Sequence, residues 1–236
     1  MRVLALDSTT RAGSVALVEN GEVVDERLGD SSRSHGERLP SDLAALGVAW
    51  SSIDVFGVCV GPGSFTGLRI GIATMQGLAL VTGTRLIGVS ALEALAQFAT
   101  RHVGPGSLVA AWIDAQRGEV FSALYRVMDA PIFTAGRLVQ LEPAAVAKPA
   151  ATFDMWADHD LREAMFIGDA AWSNMPLIEA RTSRRPILQA MPLAGAVGLL
   201  AEESASRGSA GSPAAIQPLY VRRPDAELHR EQSRPH

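Results

Sequence analysis

Arg2-Val3-Leu4-Ala5-Leu6, Gly13-Ser14-Val15-Ala16-Leu17-Val18 and Glu22-Val23-Val24-Asp25-Glu26 are three short runs with the composition of strands, and their succession decides the fold. Ser8-Thr9-Thr10-Arg11 separates the first two and Glu19-Asn20-Gly21 the second pair. Asn-Gly accepts positive φ at low cost, so three consecutive antiparallel strands are expected. Leu39, Leu43 and Leu46 then recur at helical spacing, and Val55-Phe56-Gly57-Val58-Cys59-Val60 reads as a buried strand. A second helix is expected over 66–81, a short strand over 85–89, and a third helix opened by Ser90 with Glu93 at capping-box spacing. Gly104-Pro105-Gly106 punctuates the chain. The pattern then restarts, with strands expected over 108–113, 119–127 and 132–141, followed by mixed elements to about residue 205. The reading is an α/β chain in which a βββαβα unit is used twice, with lobes over 1–104 and 105–220 and a loose tail over 221–236.

Of 236 residues, 47% are apolar and 19% charged, which excludes the disordered class. The net charge of −4 argues against a surface built broadly to neutralise phosphates. Cys59 is the single cysteine and lies in an apolar run, so no internal disulfide is possible and a buried thiol is expected. Asp7 interrupts the first apolar run before it reaches the length of a secretory leader, and the cytoplasm is the expected location.

Two loops place an Asp at the end of an apolar strand: Asp7-Ser8-Thr9-Thr10 and Asp114-Ala115-Gln116-Arg117-Gly118. Hydroxyls and backbone N–H groups in such turns suit phosphate oxygens, and an Asp can orient hydrated Mg²⁺, so Asp7, Ser8, Thr9 and Asp114 are candidate nucleotide-binding residues. The alternative is two ordinary turns whose side chains bond their own backbone. Gly61-Pro62-Gly63-Ser64-Phe65-Thr66-Gly67-Leu68-Arg69-Ile70-Gly71 joins a strand end to a helix start without the Gly-Lys-Ser/Thr of a Walker A loop. In the helix that follows, Leu68, Ile72, Met75 and Ala79 form one apolar stripe and Ile70, Ala73, Gly77 and Leu80 another. A helix apolar nearly all round needs cover on nearly all sides, so it meets another chain or lies central in its own core. Arg69 and the repeated glycines argue against a membrane span. The five histidines form no HxxxH or HExxH pair for a metal, His35 reads as a surface residue near a helix start, and no Gly-x-Ser-x-Gly elbow occurs.

Taken together, Leu6-Asp7-Ser8-Thr9-Thr10, Ser34-His35-Gly36-Glu37-Arg38-Leu39-Pro40, the block from Gly61 to Gly71, Asp114 to Phe121 and Pro218-Leu219-Tyr220-Val221-Arg222 closely resemble the TsaB (YeaZ) family, in the right order over most of the chain. The resemblance implies a duplicated ribonuclease-H-like, actin-like fold of the ASKHA class. It also implies a non-catalytic paralogue of TsaD, the subunit that transfers threonylcarbamoyl to the adenosine beside the anticodon in tRNAs reading codons that begin with A. The implied partners are a TsaD-like subunit bound through the first two helices and a TsaE-like ATPase, with a homodimer when the first is absent and tRNA reached indirectly through the complex. Carried over, this places Leu39, Leu43, Leu46, Leu68, Ile72, Met75 and Ala79 near the shared surface; for ATP or ADP with Mg²⁺ the sequence leaves open the cleft of this subunit, its border with a partner, or no site on this chain. Gln116 stands where the family commonly has Arg, and Gly168-Asp169-Ala170-Ala171 is a looser Gly-Asp-Gly-Ala turn. The competing reading is an ATPase or small-molecule kinase of the same fold class that uses Asp7 and Asp114. A peptidase would lack both metal ligands and nucleophile. Arg181, Arg184 and Arg185 form a local basic patch that offers tRNA a minor direct contact.

Overall fold

Along β1 (Arg2–Asp7), Val3 and Ala5 point to one side and Leu4 and Leu6 to the other, and each pair enters a different core. The computed structural model describes residues 1–184, 192–209 and 212–222. β1 pairs antiparallel with β2 (Ser14–Glu19), which pairs antiparallel with β3 (Glu22–Leu28) across Asn20 and Gly21, both at positive φ (51° and 82°) as the Asn-Gly signal requires. β4 (Val55–Gly61) and β5 (Arg85–Ser90) extend the sheet in parallel, giving the order β3-β2-β1-β4-β5. A second sheet repeats this arrangement with β6 (Leu108–Asp114), β7 (Val120–Val127), β8 (Leu138–Ala147) and β9 (Met165–Ile167) in the order β8-β7-β6-β9.

The helices, in chain order, are α1 (His35–Ala44), α2 (Phe65–Thr82), α3 (Ala91–Ala99), α4 (Pro149–Met155), α5 (Asp169–Ser173), α6 (Met175–Glu179) and α7 (Ala194–Ser206). α1 and α2 cover one face of the first sheet, α3 and α7 fill the space between the sheets, and α4 to α6 cover the far face of the second. The element order βββαβα occurs twice, as the sequence pattern implies.

Three expectations are corrected. The third strand of the second unit runs over Leu138–Ala147 rather than 132–141. Phe133 turns to φ 62°, and the buried Arg137 guanidinium donates to Met128 O and Ala130 O (3.0 Å each) and Thr100 O (3.1 Å), so 132–137 is an anchored loop. β8 continues through Pro143 because it is an edge strand, where a missing N–H is tolerated. Second, α7 belongs to the second half of the chain but packs on the first sheet, where a Cβ at Gly198 would approach Val18 Cγ2 to 2.6 Å. Its N-terminal N–H groups find first-half acceptors: Leu193 N and Ala194 N donate to Ser14 Oγ (3.1 and 3.0 Å), and Gly195 N donates to Glu26 Oε1 (2.5 Å). Chain order and core thus divide differently. Third, the start of the expected tail is tied down, since Val221 packs on the core and Arg222 pairs with Glu119 and donates to Ala115 O (2.7 Å). Arg223-Pro224-Asp225 and the polar end lie outside the described residues.

By length and mean hydropathy (1.2), α2 is the one helix among the described residues able to cross a bilayer. It packs instead along β4, carries Arg69 on its outer surface, and buries only its inner side.

Candidate functional site

The first loop is closed on itself. Asp7 Oδ1 accepts from Thr9 N (2.9 Å) and Thr9 Oγ1 (2.6 Å), in an Asx turn under α2. Burial pushes the Asp7 carboxyl above its ordinary range, against the lowering by the Thr9 bonds. Ser8 does not face the cleft: its buried Oγ has no hydrogen-bond partner and lies under α2, where a Cβ at Gly71 would meet it at 2.1 Å. Thr9 is covered by the Gly63 turn, with Ser64 N donating to Thr9 O (2.8 Å) and no room for a Cβ on Gly63. Thr10 Oγ1 accepts from Gly13 N (3.0 Å).

His35 is buried rather than on the surface. Its Nε2 donates to Thr10 O (2.9 Å) and its Nδ1 accepts from Arg38 Nη2 (2.8 Å), while Arg38 also bonds Ala12 O and pairs with Asp42. Burial, then the Arg38 charge, holds the imidazole below its usual range, so it is neutral at neutral pH. Ser34 and Glu37 close the capping box that starts α1, with Ser34 N donating to Glu37 Oε2 (2.9 Å).

The second loop lies at the equivalent end of β6 and is exposed. Gln116 (φ 61°), Arg117 (φ 59°) and Gly118 (φ 72°) are left-handed in succession, which turns Gln116 back so that its N and Nε2 donate to the two Asp114 carboxylate oxygens (2.9 and 2.6 Å). Asp169 joins them: its Oδ1 accepts from Asp114 N (3.0 Å) and Ala170 N (2.7 Å), and burial raises its carboxyl. The sequence marked the Gly168-Asp169 turn without giving Asp169 a role. The signal lay in Gly168, where φ is 122° and a Cβ would approach Trp112 O to 1.9 Å.

Asp7, Thr9 and Asp169 line a small inner pocket of about 60 Å³, while Thr9, Asp114 and Asp169 line a larger cleft between the two halves of about 1570 Å³. The inner pocket has room for a few waters. The Thr9 and Thr10 hydroxyls, one Asp7 oxygen and both Asp114 oxygens are engaged within their own turns and Ser8 Oγ is sealed under α2, so Asp7, Ser8, Thr9 and Asp114 are not presented together to a nucleotide with Mg²⁺. Among the described residues, no three His, Cys, Asp or Glu side chains gather as a metal-holding group. Cys59 is buried beside Asp7, and burial drives its thiol well upward.

The remaining expected residues are turned inward. Leu39, Leu43, Leu46, Leu68, Ile72, Met75 and Ala79 are each no more than 7% exposed, packed between α1, α2 and the first sheet. They are therefore not on the surface, whereas the opposite stripe of α2 is: Ala73 and Gly77 are open and Leu80 and Val81 are 66% and 89% exposed. The two stripes have similar composition, so periodicity did not say which one the sheet would take. Of the basic patch, the Arg181 guanidinium lies over the Phe153 ring (4.8 Å), Arg184 pairs with Glu163 (3.4 Å), and Arg185 lies outside the described residues.

Two halves with repeated strand order, a cleft between them and an Asp turn at the end of each leading strand define the actin-like, two-lobe ASKHA class. An inorganic polyphosphate/ATP-glucomannokinase from Arthrobacter sp. strain KM shares the fold at 13% identity and TM-score 0.51, over 87% of this chain and 99% of that one. The family model described as TsaD, tRNA N6-adenosine threonylcarbamoyltransferase, matches residues 29–153, just over half of the chain. The solved structure of YeaZ from Pseudomonas aeruginosa is 32% identical with TM-score 0.70, covering 93% of this chain and 99% of that one, and the chain belongs to the TsaB/YeaZ family. The Escherichia coli tRNA threonylcarbamoyladenosine biosynthesis protein TsaB is 42% identical over 130 residues, and the matched stretch spans 53% of this chain and 55% of that protein.

Proposed function

We propose that this chain is a non-catalytic partner subunit in forming threonylcarbamoyladenosine in tRNA, acting in the cytoplasm by pairing with a TsaD-like transferase through the outer faces of α1 and α2. The observation that carries the reading is the bare apolar stripe of α2, ending in Leu80 and Val81, on a helix whose other side is already filled by the first sheet. Such a stripe on a folded lobe calls for a protein surface to cover it. A TsaE-like ATPase joins the pair, and a second copy of this chain covers the stripe when the transferase is absent. Family membership and the name of the Escherichia coli relative support this pathway.

The test is threonylcarbamoyl transfer to unmodified tRNA in a reconstituted mixture of the other components, with and without this chain. Loss of product on omission, with none from the chain alone, is the expected result. Undiminished product without it would overturn the proposal. The kinase-like reading requires the Asp7 and Asp114 turns to open, and their internal hydrogen bonds argue against it.

A further inference from the structure

At the mouth of the cleft, Arg11, Arg33 and Arg69 have no carboxylate within ion-pair distance among the described residues. Arg11 Nε donates to Ser31 O (2.8 Å), Arg33 Nη2 to Glu37 O (3.3 Å) and Arg69 Nε to Tyr220 OH (3.0 Å). Asp30 and Glu37 lie in the field of Arg33, but their carboxylates bond Ser32 and Ser34 instead. The three guanidinium groups thus hydrogen-bond neutral partners, Arg33 sharing the field of Asp30 and Glu37 without an ion pair to either. Beside them the Phe65 and Tyr220 rings lie 5.2 Å apart, each 40% exposed, with the Arg69 guanidinium 3.9 Å from the Phe65 centroid. Tyr220 reaches this position because residues 212–222 cross back over the first half, with Leu219 N donating to Val60 O (2.7 Å) and Gln76 Nε2 to Pro213 O (2.8 Å).

We propose that this mouth is a binding surface for single-stranded RNA, contacted directly by this chain. Exposed rings beside a stacked guanidinium offer platforms for bases, and unpaired arginines flanked by hydroxyls such as Ser32 and Thr66 offer phosphate contacts. The acidic groups Asp114 and Asp169 line the opposite wall and Arg222 is paired with Glu119, so the phosphates track the first-half wall. A cleft of about 1570 Å³ exceeds the size of an ordinary small-molecule pocket and suits several linked nucleotides rather than one. The surface stands apart from the bare stripe of α2, since Leu80 lies about 22 Å along the helix from Phe65. The inference rests on the chemistry of the cleft and goes beyond the partner-subunit reading, which assigns no RNA contact to this cleft.

The test is fluorescence anisotropy of a labelled mixed-sequence ten-nucleotide RNA titrated with the full chain at about 50 mM salt, where phosphate contacts are strongest. Tyr220→Ala and Phe65→Leu are each expected to weaken binding about ten-fold. Arg33→Gln is expected to weaken it and lower the salt slope by about one. Arg162→Gln, outside the cleft, leaves affinity unchanged. Unaltered thermal midpoints separate lost contacts from lost fold, and Arg33→Gln alters only an exposed side chain. Absence of saturable binding, or equal affinity for wild type, Tyr220→Ala and Arg33→Gln, would overturn the proposal. Competition by AMP at the same nucleotide concentration as unlabelled RNA would assign the cleft to a mononucleotide and overturn the strand reading.

Discussion

On its inner face α2 presents Gly67, Leu68, Gly71, Ile72, Met75 and Ala79 to the first sheet and the Asp7 loop; on its outer face it presents Ala73, Gly77, Leu80 and Val81 to solvent. Both faces mix glycine with aliphatic side chains, yet the glycines differ in what surrounds them. A Cβ at Gly67 would stand 2.2 Å from Ser8 O and one at Gly71 2.1 Å from Ser8 Oγ, whereas Gly77 has nothing within 4 Å. Inside, glycine lets backbone approach backbone. Outside, it is a weak helix former whose small size leaves the surface flat.

The sharpest way to break this comparison is Met75→Glu, which places an unpaired carboxylate at a fully buried position and is expected to cost more than about 4 kcal/mol, so the chain does not fold. A cooperative melt near the wild-type midpoint would mean that the inner face is not core. Gly71→Ala should destabilise by about 2 to 3 kcal/mol in chemical denaturation although alanine favours helix, because the methyl group must displace Ser8. On the outer face, Leu80→Glu should shift stability by less than about 0.5 kcal/mol while weakening association with a purified TsaD-like subunit by about 2 kcal/mol or more. Unchanged association in a pull-down or by calorimetry would remove the stripe from the interface. Gly77→Ala, the counterpart of Gly71→Ala, should stabilise the isolated chain by up to about 1 kcal/mol.

The smallest effect concerns the loop beneath the inner face. Asp7 is held above its ordinary value of 3.8 by burial, so the folded chain binds a proton more readily there than the unfolded chain. The contribution of this group to stability is present below about pH 3.8 and is lost as pH rises through the higher folded value. Asp7→Asn keeps the acceptor for Thr9 and removes the titration, so its midpoint should fall less than that of wild type as pH is raised from 4 towards neutrality, by about one group's slope. Parallel profiles for the two chains would place Asp7 in a more solvated setting. Glu26 and Asp169 are raised for the same reason and retain their share in the variant.

Much of this was legible before any coordinates. The short apolar runs from Arg2 to Glu26 between polar breakers mark the strands, Asn20-Gly21 marks the hairpin, and Ser90 with Glu93 marks the start of α3, where Glu93 N donates to Ser90 Oγ (3.4 Å). Less was legible where a residue's role depends on distant segments. His35 reads as a surface residue by its Ser-His-Gly setting and becomes buried because Thr10 O and Arg38 converge on it. The strand expected over 132–141 moved because Arg137 found carbonyls from two other segments. The cleft mouth was missed because Phe65 and Tyr220 are separated by most of the chain and meet only when residues 212–222 return to the first half.

The sequence by itself determined the strand and helix order, the doubling of the βββαβα unit and the family, because side-chain periodicity, turn chemistry and ordered motif blocks are local properties. Only the tertiary structure decided which stripe of α2 is core, that Ser8 lies under a helix rather than in the cleft, that α7 completes the first half, and that unpaired arginines flank two exposed rings. Each of these is settled by which surfaces meet across long sequence separations, and a local pattern compatible with either face of an element leaves that choice to packing.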